Sequence, residues 1–279
     1  MSQHVTEVSD GVFDYHRESL LPTDAPASVI AAWPPVVTVP YRPLLAQVDG
    51  KLVLLDTGAG PLGPGTGRLL DALAAQGITP GQISLVLLSH AHADHIGGLV
   101  DQSGRPAFQN ARIAIARQEF EFWHDSGIRN QLGSGSVYGN AMLESVIREW
   151  FERYLIPLKD RLELVESDAE VIPGVRMVPA PGHTPGHCGI LLSGGTCSVL
   201  FTGDAFALPD HISHPEWTSS FDMDAEQTVR TRHRLLYLAA AENCRVVHYH
   251  VDGIGRVVRR GSAYAWEPET SAAVPAAHS

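Results

Sequence analysis

A run of metal-binding residue types directly after a buried strand constrains this chain more than any other feature. Residues 83–88 read I-S-L-V-L-L, which predicts a strand buried on both faces. Residues 89–98 follow as S-H-A-H-A-D-H-I-G-G. His90 and His92 are two residues apart, so in extended backbone their side chains point to the same side. Because imidazole and carboxylate bind zinc and similar divalent cations, the sequence predicts a metal site at the end of this strand.

The spacing inside this motif suits two neighbouring ions rather than one. Asp94 and His95 come where the chain can turn into a helix, and adjacent residues diverge in direction. Their side chains can therefore serve a second point in space, beside the point that His90 and His92 face. The alternative is a run of solvated polar residues at a strand end, which the density of ligand types disfavours.

Charge and composition exclude several classes of protein. The formal net charge is −11 and no basic stripe is present, so we expect no nucleic-acid partner. No apolar run approaches the roughly 18 residues of a membrane helix, so we expect no membrane partner. The first thirty residues lack the apolar core of a signal peptide, and three scattered cysteines suit a reducing compartment. These features predict a cytoplasmic protein.

The order of predicted elements indicates an α/β protein with a single layered domain. Strand patterns occur in both halves with helices between them, which favours two packed sheets with helices outside. We predict an N-terminal extension at 1–35, the main domain at 36–265 and a disordered tail at 266–279. Within the domain, 124–160 is predicted to be an insertion containing an amphipathic helix. That helix either covers a pocket or packs on the core as an ordinary surface helix.

Residues 53–60, V-L-L-D-T-G-A-G, allow two interpretations of Asp56. An aspartic protease presents a catalytic carboxylate in this way, but it needs two such aspartates that share one proton. The chain has one D-T-G, and the T-G-D at 202–204 runs in the reverse order. A protease would also leave the histidine motif unexplained. The aspartic-protease interpretation of Asp56 is therefore disfavoured.

From about Pro40 to His248 the sequence resembles the metallo-β-lactamase superfamily, because it contains five of that superfamily's motifs in the expected order. They are L-L-D-T-G at 54–58, H-A-H-A-D-H at 90–95, P-G-H-T-P-G-H at 181–187, F-T-G-D at 201–204 and R-V-V-H-Y-H-V-D-G-I-G at 245–255. The resemblance implies a four-layer αββα sandwich, the metallo-β-lactamase fold, in a single domain. It also implies two divalent metal ions per chain, most simply zinc, with manganese, cobalt or iron as alternatives.

The resemblance further implies a set of site residues. The metal ligands it implies are His90, His92, Asp94, His95, His183, Asp204 and His248, with Asp204 bridging the two ions. Asp94 and Asp204 are the implied catalytic residues, and Asp94 is the implied proton shuttle. The resemblance also implies that Asp56 orients metal ligands by hydrogen bonds. We choose His248 as the last ligand because it follows the strand predicted at 245–247 and precedes G-I-G by the same offset as in relatives of methyl parathion hydrolase. His250 stays open as the alternative.

The activity implied is metal-dependent hydrolysis of a small molecule. A metal-bridging hydroxide would attack a lactone, an ester or an organophosphate-type substrate. E-F-E-F-W at 119–123 and H-P-E-W at 214–217 resemble the methyl parathion hydrolase and lactonase branch. Acyl-homoserine lactonases carry tyrosine three residues beyond the bridging aspartate, where this chain has Ala207. The alternatives are a thioesterase of the glyoxalase II type and a metal-binding protein without hydrolytic turnover.

Two further expectations concern surfaces. Trp123, Phe206 and Trp217 are candidates for an apolar substrate pocket, and core packing is the alternative for each. The helix at 141–155 and the segment 19–35 are candidates for a homodimer interface. His187 is expected to be structural, and the remaining histidines are expected at the surface or in loops.

Overall fold

Two face-to-face β-sheets form the centre of the computed structural model, which describes residues 3–20, 25–101, 103–125, 141–194 and 197–269. The strands are β1 (Gln3–Glu7), β2 (Gly11–His16), β3 (Val36–Tyr41), β4 (Leu44–Val48), β5 (Lys51–Leu55), β6 (Ile83–Leu88), β7 (Arg112–Ala116), β8 (Leu162–Val165), β9 (Glu170–Ile172), β10 (Val175–Pro179), β11 (Cys188–Leu192), β12 (Val199–Phe201), β13 (Arg245–Val247), β14 (Ile254–Arg260) and β15 (Ala263–Pro268). The α-helices are α1 (Arg17–Leu20), α2 (Ala27–Ala32), α3 (Leu69–Ala75), α4 (Ala93–Ile96), α5 (Arg117–His124), α6 (Ala141–Tyr154), α7 (Asp210–Ser213) and α8 (Ala225–Ala241).

The described strands form two large sheets and one ribbon. The first sheet has the order β1-β4-β5-β6-β7-β8, and the second has the order β15-β14-β13-β12-β11-β10-β9. The ribbon pairs β2 with β3 in antiparallel fashion. Among the described helices, none combines the length and the apolar character that crossing a bilayer requires.

Three apolar clusters define four layers. The space between the sheets is filled by buried side chains from both of them: Val53, Leu55, Leu85, Leu87, Met177, Ile190, Phe201 and Val247. The outer face of the first sheet packs on helices through Leu54, Val86, Leu88, Leu73, Phe122 and Phe151. The outer face of the second sheet packs on α8 through Leu200, Val246, Leu235 and Leu236. Central strands are thus buried on both faces, and the predicted αββα sandwich is confirmed.

The hairpin between β4 and β5 shows how local sequence sets this arrangement. Asp49 and Gly50 both have positive φ, 48° and 77°, as the two central residues of a tight hairpin turn require. Residues 36–48 form two strands rather than one continuous strand. The first part pairs in the β2–β3 ribbon, and the second pairs with β1 and β5 in the sheet. A break at Arg42 and Pro43 separates the two pairings.

The termini contribute more structure than the sequence predicted. Residues 3–7 lie within the predicted N-terminal extension, yet they pair with β4 in the first sheet. Arg256, Arg259 and Arg260, which look like a solvated turn in the sequence, lie in β14. Residues 266–268 of the predicted tail belong to β15. The division at 35 and 265 stays a prediction, and residues 270–279 lie outside the described residues.

Parallel pairing brings the chemistry to one edge. β5, β6 and β7 are parallel neighbours in the first sheet, and β12 and β13 are parallel neighbours in the second. The carboxyl ends of parallel strands meet at the same edge of a sheet. The loops after β5, β6, β12 and β13 carry the D-T-G, H-A-H-A-D-H, T-G-D and H-Y-H sequences, so all of them meet there.

Candidate metal centre

Two groups of histidine and aspartate side chains meet at this edge, and both include Asp204. The first group is His90, His92, His183 and Asp204, and the second is Asp94, His95, His250 and Asp204. In each group the candidate ligand atoms lie within 4.8 Å of one another. All of these residues are buried except Asp94, which is half-buried. The structure therefore brings together every predicted site residue except His248.

The first group is closed around a carboxylate oxygen. Nε2 of His183 lies 3.3 Å from Oδ2 of Asp204, and Nε2 of His90 lies 3.8 Å from the same oxygen. Nε2 of His183 also lies 3.1 Å from Nδ1 of His92. These nitrogens converge on one point, which is the arrangement that a cation with three histidine ligands needs.

The second group uses both oxygens of Asp204. Nε2 of His95 lies 3.2 Å from Oδ1, and Nε2 of His250 lies 3.2 Å from Oδ2. Oδ2 of Asp94 lies 3.7 Å from Nε2 of His95 and 3.4 Å from Nε2 of His250. Asp204 thus stands between the two groups, in the position that a bridging ligand occupies.

Buried atoms without partners test whether these residues fit metal ions. Among the described side chains, buried atoms that make no hydrogen bond include Nε2 of His90, Nε2 of His95 and Oδ1 of Asp204, and beyond the centre both ring nitrogens of His211 and Nε2 of His248. Buried polar groups normally have partners because desolvation is costly. The atoms of His90, His95 and Asp204 face the shared centre, and histidine nitrogens with carboxylate oxygens are a common donor set for zinc and related cations. The residues therefore fit two divalent metal ions.

Electrostatics in the two groups differ. Burial lowers the pKa of His90 and of His92 well below the ordinary value, and neighbouring histidines lower both further. Neutral imidazole, the form that binds metals, is therefore favoured in the first group. Burial also opposes the charged form of His95, but Asp204, Asp94 and Asp56 raise its pKa well above the ordinary value. The carboxylates around His95 therefore make the second group a site that attracts positive charge, which a bound cation can supply in place of a proton on Nε2.

The H-A-H-A-D-H segment has the predicted local structure. His92 is extended, with φ −71° and ψ 152°, and α4 begins at Ala93. The carbonyl of His92 accepts hydrogen bonds from the backbone N–H groups of His95 and Ile96. Because the backbone changes from extended to helical at this point, His90 and His92 reach one group while Asp94 and His95 reach the other. The prediction that this spacing serves two points is confirmed.

Asp56 supports the S-H-A-H-A-D-H segment through hydrogen bonds to Ser89 and His95. One carboxylate oxygen accepts the backbone N–H of Ser89 at 2.7 Å, and the other accepts the Ser89 hydroxyl at 2.7 Å. The second oxygen also lies 2.8 Å from Nδ1 of His95. Since carboxylate oxygens only accept, Nδ1 of His95 carries the proton and Nε2 presents its lone pair to the centre. The expectation that Asp56 orients ligands is confirmed.

Asp222 orients His183 as Asp56 orients His95, and the sequence analysis did not predict this role for Asp222. Oδ1 of Asp222 lies 3.1 Å from Nδ1 of His183, and its other oxygen accepts from the Ser219 backbone and from Arg232 of α8. Burial opposes ionisation, but the Arg232 guanidinium and His183 hold the pKa of Asp222 well below its usual value. Asp222 lies in F-D-M-D at 221–224, and no local sequence pattern links that segment to His183.

Glu119 is a second residue that sequence reasoning missed. Its carboxylate accepts from the Ala91 backbone at 3.0 Å and from Trp123 at 2.7 Å. The other oxygen accepts from the Thr184 hydroxyl at 2.7 Å and the Gly186 backbone at 3.1 Å. Burial raises its pKa, and these donors oppose that effect. Glu119 therefore ties the loop after β6 to the loop between β10 and β11.

The predicted ligand His248 is placed elsewhere, which corrects the choice made from the sequence. Nδ1 of His248 lies 2.8 Å from the Thr202 hydroxyl, and its ring packs against Phe206 and Trp266 with centroids 5.2 and 4.8 Å away. His248 continues the alternation of β13, so it shares the face of Val246, which is packed under α8. The chain then turns, and the backbone N–H of Val251 donates a hydrogen bond to the carbonyl of His248 at 3.4 Å.

This turn delivers His250 to the centre. Nδ1 of His250 donates to the carbonyl of Pro40 at 3.0 Å, so in the neutral ring the Nε2 lone pair is available to a cation beside Asp94 and Asp204. The Tyr249 hydroxyl donates to the carbonyl of Asp94 and anchors the same turn. The distance from G-I-G in the sequence favoured His248, but the turn after β13 brings His250 to the centre instead.

The other histidines divide between structure and surface. His187 donates from Nδ1 to the carbonyl of Ala180, and its Nε2 accepts the Asp204 backbone N–H at 3.0 Å. It is structural, as predicted. His211 is buried, against the expectation of a solvated loop residue, and His214 is half-buried on Trp217. The predicted surface positions are confirmed as exposed for His4, His16, His124 and His233, and His278 lies outside the described residues.

A cavity of about 450 Å³ opens over the two groups. Its floor includes His92, Asp94, His183, Asp204 and His250. Its walls are mainly apolar: Phe13, Tyr15, Leu20, Val39, Leu62, Trp150, Ala207, Leu208 and Phe221, with Ser219. Both interpretations of the helix at 141–155 hold in part, because Trp150 lines the cavity while Phe151 packs in the core.

The aromatic residues proposed for the pocket lie in the core instead. Trp123 is buried beside His92, with ring centroids 5.7 Å apart. Phe206 packs on His248, and Trp217 stacks on His214. Among the described residues, the cavity walls come from β2, β3, α1 and α6 and from the loops after β5 and β12. Of the aromatic wall residues, Phe13, Tyr15 and Trp150 stand far from the ligand motifs in the sequence. The alternative of core packing is confirmed for Trp123, Phe206 and Trp217.

Fold and centre together define a class, the αββα proteins with a histidine and aspartate centre fitted to two metal ions. A family model described as the metallo-beta-lactamase superfamily matches residues 44–252. The chain belongs to this superfamily.

Two proteins with similar sequences are both named as N-acyl homoserine lactonases. An N-acyl homoserine lactonase of Bacillus sp. is 27% identical over 158 residues, which are 56% of this chain and 52% of the relative. The N-acyl homoserine lactonase AiiA of Bacillus thuringiensis subsp. kurstaki is 29% identical over 139 residues, which are 50% of this chain and 44% of the relative. The chain thus spans about half the length of these relatives.

Two solved structures superpose on almost the whole of this chain. AbOPH, a hydrolase in the beta lactamase superfamily, superposes with a TM-score of 0.87 at 24% identity, covering 96% of this chain and 95% of that one. AidC, a dizinc quorum-quenching lactonase in complex with a product, superposes with a TM-score of 0.85 at 23% identity, with the same coverage. At this level of identity the similarity establishes the fold.

Proposed function

We propose that the protein is a dinuclear-metal hydrolase that opens a neutral lactone or ester carrying an apolar chain. The observation that carries the proposal is the cavity, which joins two metal-binding groups to apolar walls. The named activity of the sequence relatives, N-acyl homoserine lactonase, supports a lactone. AidC, a dizinc lactonase with the same fold, supports zinc at both positions.

The cavity walls favour an uncharged substrate. Among the described residues that line it, none is lysine or arginine, and most are aliphatic or aromatic. An anionic substrate would have no side-chain cation to pair with, whereas an acyl or alkyl chain would bury apolar area on these walls. The volume of about 450 Å³ accommodates a ring with a medium-length chain. An aryl phosphotriester, the substrate class of methyl parathion hydrolase-like enzymes, meets the same requirement and is the second candidate.

The two aspartates take different roles. Bound divalent cations would lower the pKa of a water between them and polarise the substrate's carbonyl group. Asp204 has a side chain only 6% exposed and faces both groups, so it fixes their separation. Asp94 is 15% exposed on the cavity side and can take up a proton and pass it to the leaving oxygen. Asp56, Asp222 and Glu119 keep the ligands in register by hydrogen bonds.

Proton release by the zinc-loaded and manganese-loaded protein tests this function. The panel is a γ-lactone with an acyl chain, an aryl acetate, an aryl phosphotriester, a thioester and a penam. We expect the lactone or ester to be hydrolysed fastest, activity to disappear with a chelator, and activity to return with metal. Asp94→Asn serves as the catalytic control. A thioester as the best substrate, or no turnover with two metals bound per chain, would contradict the proposal.

A cytoplasmic location and a homodimer are also proposals. Cys188, Cys197 and Cys244 are free thiols, which suits a reducing compartment.

The identity of the metal needs its own experiment. Plasma mass spectrometry of protein purified without added metal would identify the metal that the protein acquires.

A further inference from the structure

Two tyrosine hydroxyls meet at the cavity, outside both metal-binding groups. The hydroxyl oxygens of Tyr15 and Tyr41 are 2.8 Å apart. Tyr15 lies on β2, whose residues alternate between half-buried and exposed, and it shares the inward face with Phe13. Tyr15 lines the cavity together with Asp94 and Asp204. Tyr41, at the end of β3, is completely buried.

Packing fixes both rings. The Tyr15 ring lies between Phe13 and Phe221, with centroids 4.9 and 6.1 Å away. The Tyr41 ring stacks on Tyr249 at 6.1 Å and meets His250 edge-on at 5.4 Å. The hydroxyl pair is therefore held against the same turn that delivers His250 to the centre.

The hydrogen bond between the two hydroxyls can run in either direction. A hydroxyl carries one proton and can accept as well as donate. When the buried Tyr41 hydroxyl donates to Tyr15, the Tyr15 proton remains for an acceptor inside the cavity. Phenols are protonated at neutral pH because their ordinary pKa is near 10. Ala207, which also lines the cavity after the Asp204 loop, offers no side-chain donor.

We propose that the Tyr15 hydroxyl, held by Tyr41, donates a hydrogen bond to the substrate oxygen that gains negative charge during hydrolysis. This inference rests on the proposed function and names a further catalytic residue for it. A donor aimed at a developing charge stabilises the transition state more than the ground state. The bond changes no covalent partner, since the proton stays on the phenol and the developing oxyanion only accepts it.

Kinetics of Tyr15→Phe on the best lactone or ester of the panel test this role. Removing one such donor from an enclosed site lowers kcat by about 100- to 1000-fold, and Tyr15 is half-buried, so we expect a fall of about 10- to 100-fold with little change in KM. Tyr41→Phe leaves the Tyr15 proton in place but removes its support, so its kcat should fall less. Tyr237→Phe, an exposed position, is the matched control and should match wild type.

A second readout does not depend on turnover. Hexylphosphonate carries tetrahedral, charged oxygens like those of the reacting centre, and calorimetry measures its Kd with the zinc-loaded protein. We expect about tenfold weaker binding by Tyr15→Phe, with two metals still bound. Unchanged kcat and unchanged phosphonate affinity, in a wild type that does turn over, would overturn the role of Tyr15 alone. Loss of metal from Tyr15→Phe would also overturn it. A wild type without turnover on the whole panel would overturn the proposed function and this role together.

Discussion

The floor and the walls of the cavity are built in opposite ways. The ligand floor (His90, His92, Asp94, His95, His183, Asp204 and His250) comes from loops at the ends of central strands, and buried carboxylates hold it from behind. The cavity wall (Phe13, Tyr15, Leu20, Val39, Leu62, Trp150 and Phe221) comes largely from the β2–β3 ribbon and helices added around the sandwich. Floor side chains are held by polar partners behind them, whereas most wall side chains contact apolar groups. Metal binding and substrate choice therefore reside in separable parts of the chain, and Tyr15 is the wall residue that also serves the chemistry.

The largest effect should come from the residue that joins the two halves of the floor. Asp204→Asn removes the negative charge that both groups share, and it replaces one oxygen by a poorer ligand. We expect kcat/KM to fall at least about 1000-fold, with fewer than two metals bound per chain. Turnover and plasma mass spectrometry of the same sample measure this. Full metal content with wild-type rates would show that Asp204 does not bridge.

The two neighbouring histidines provide the next test. His250→Ala should lower kcat/KM by about 100-fold or more and release one metal, because Nε2 of His250 faces Asp94 and Asp204. His248→Ala should keep both metals. It should lower the free energy of unfolding by about 1–3 kcal/mol, because the Thr202 hydroxyl loses its buried partner. Metal content and urea unfolding of the pair separate the roles. The reverse pattern would restore the ligand choice made from the sequence.

The contrast between these histidines shows what a sequence can and cannot predict about the site. The H-A-H-A-D-H segment was predictable because its geometry depends on residues within one turn of each other. Whether His248 or His250 reaches the centre depends on where β13 ends and on the Pro40 carbonyl, which lies far away in the sequence. Local spacing holds no information about that partner.

The same limit explains the supporting residues and the walls. The fold class was predictable because doubly buried strands and the motif order leave few arrangements. Asp222 and Glu119 act across loops that meet only in three dimensions, so no pattern marked them. Phe13 and Tyr15 lie in a segment predicted as an extension, because a two-stranded ribbon on its own buries little and leaves a weak signal.

A smaller effect is expected from the carboxylates behind the floor. Asp56→Asn and Asp222→Asn keep the shape but weaken the acceptors of His95 and His183. Loss of such a partner typically lowers metal affinity or activity by about 10- to 100-fold. We expect metal affinity to fall within that range, measured by competition with a chelator. Asp224→Asn, at the exposed start of α8, is the control and should leave metal affinity unchanged. Equal loss in all three variants would show that the effect is one of stability rather than of ligand orientation.

The smallest effect should come from the wall, and it should depend on the substrate. Phe13→Ala removes apolar surface from the cavity and one of the rings that pack on Tyr15, but it touches no ligand, so kcat should fall less than it does in Tyr15→Phe. KM for a lactone with a long acyl chain should rise by roughly tenfold, and KM for one with a short chain should change little, because only the long chain reaches the wall. Val12→Ala on the same strand is the matched control, since Val12 is 40% exposed on the opposite face and should leave both KM values unchanged. A fall in kcat for both substrates as large as that of Tyr15→Phe would mean that the ribbon supports the floor, and the separation between metal binding and substrate choice would then fail at β2.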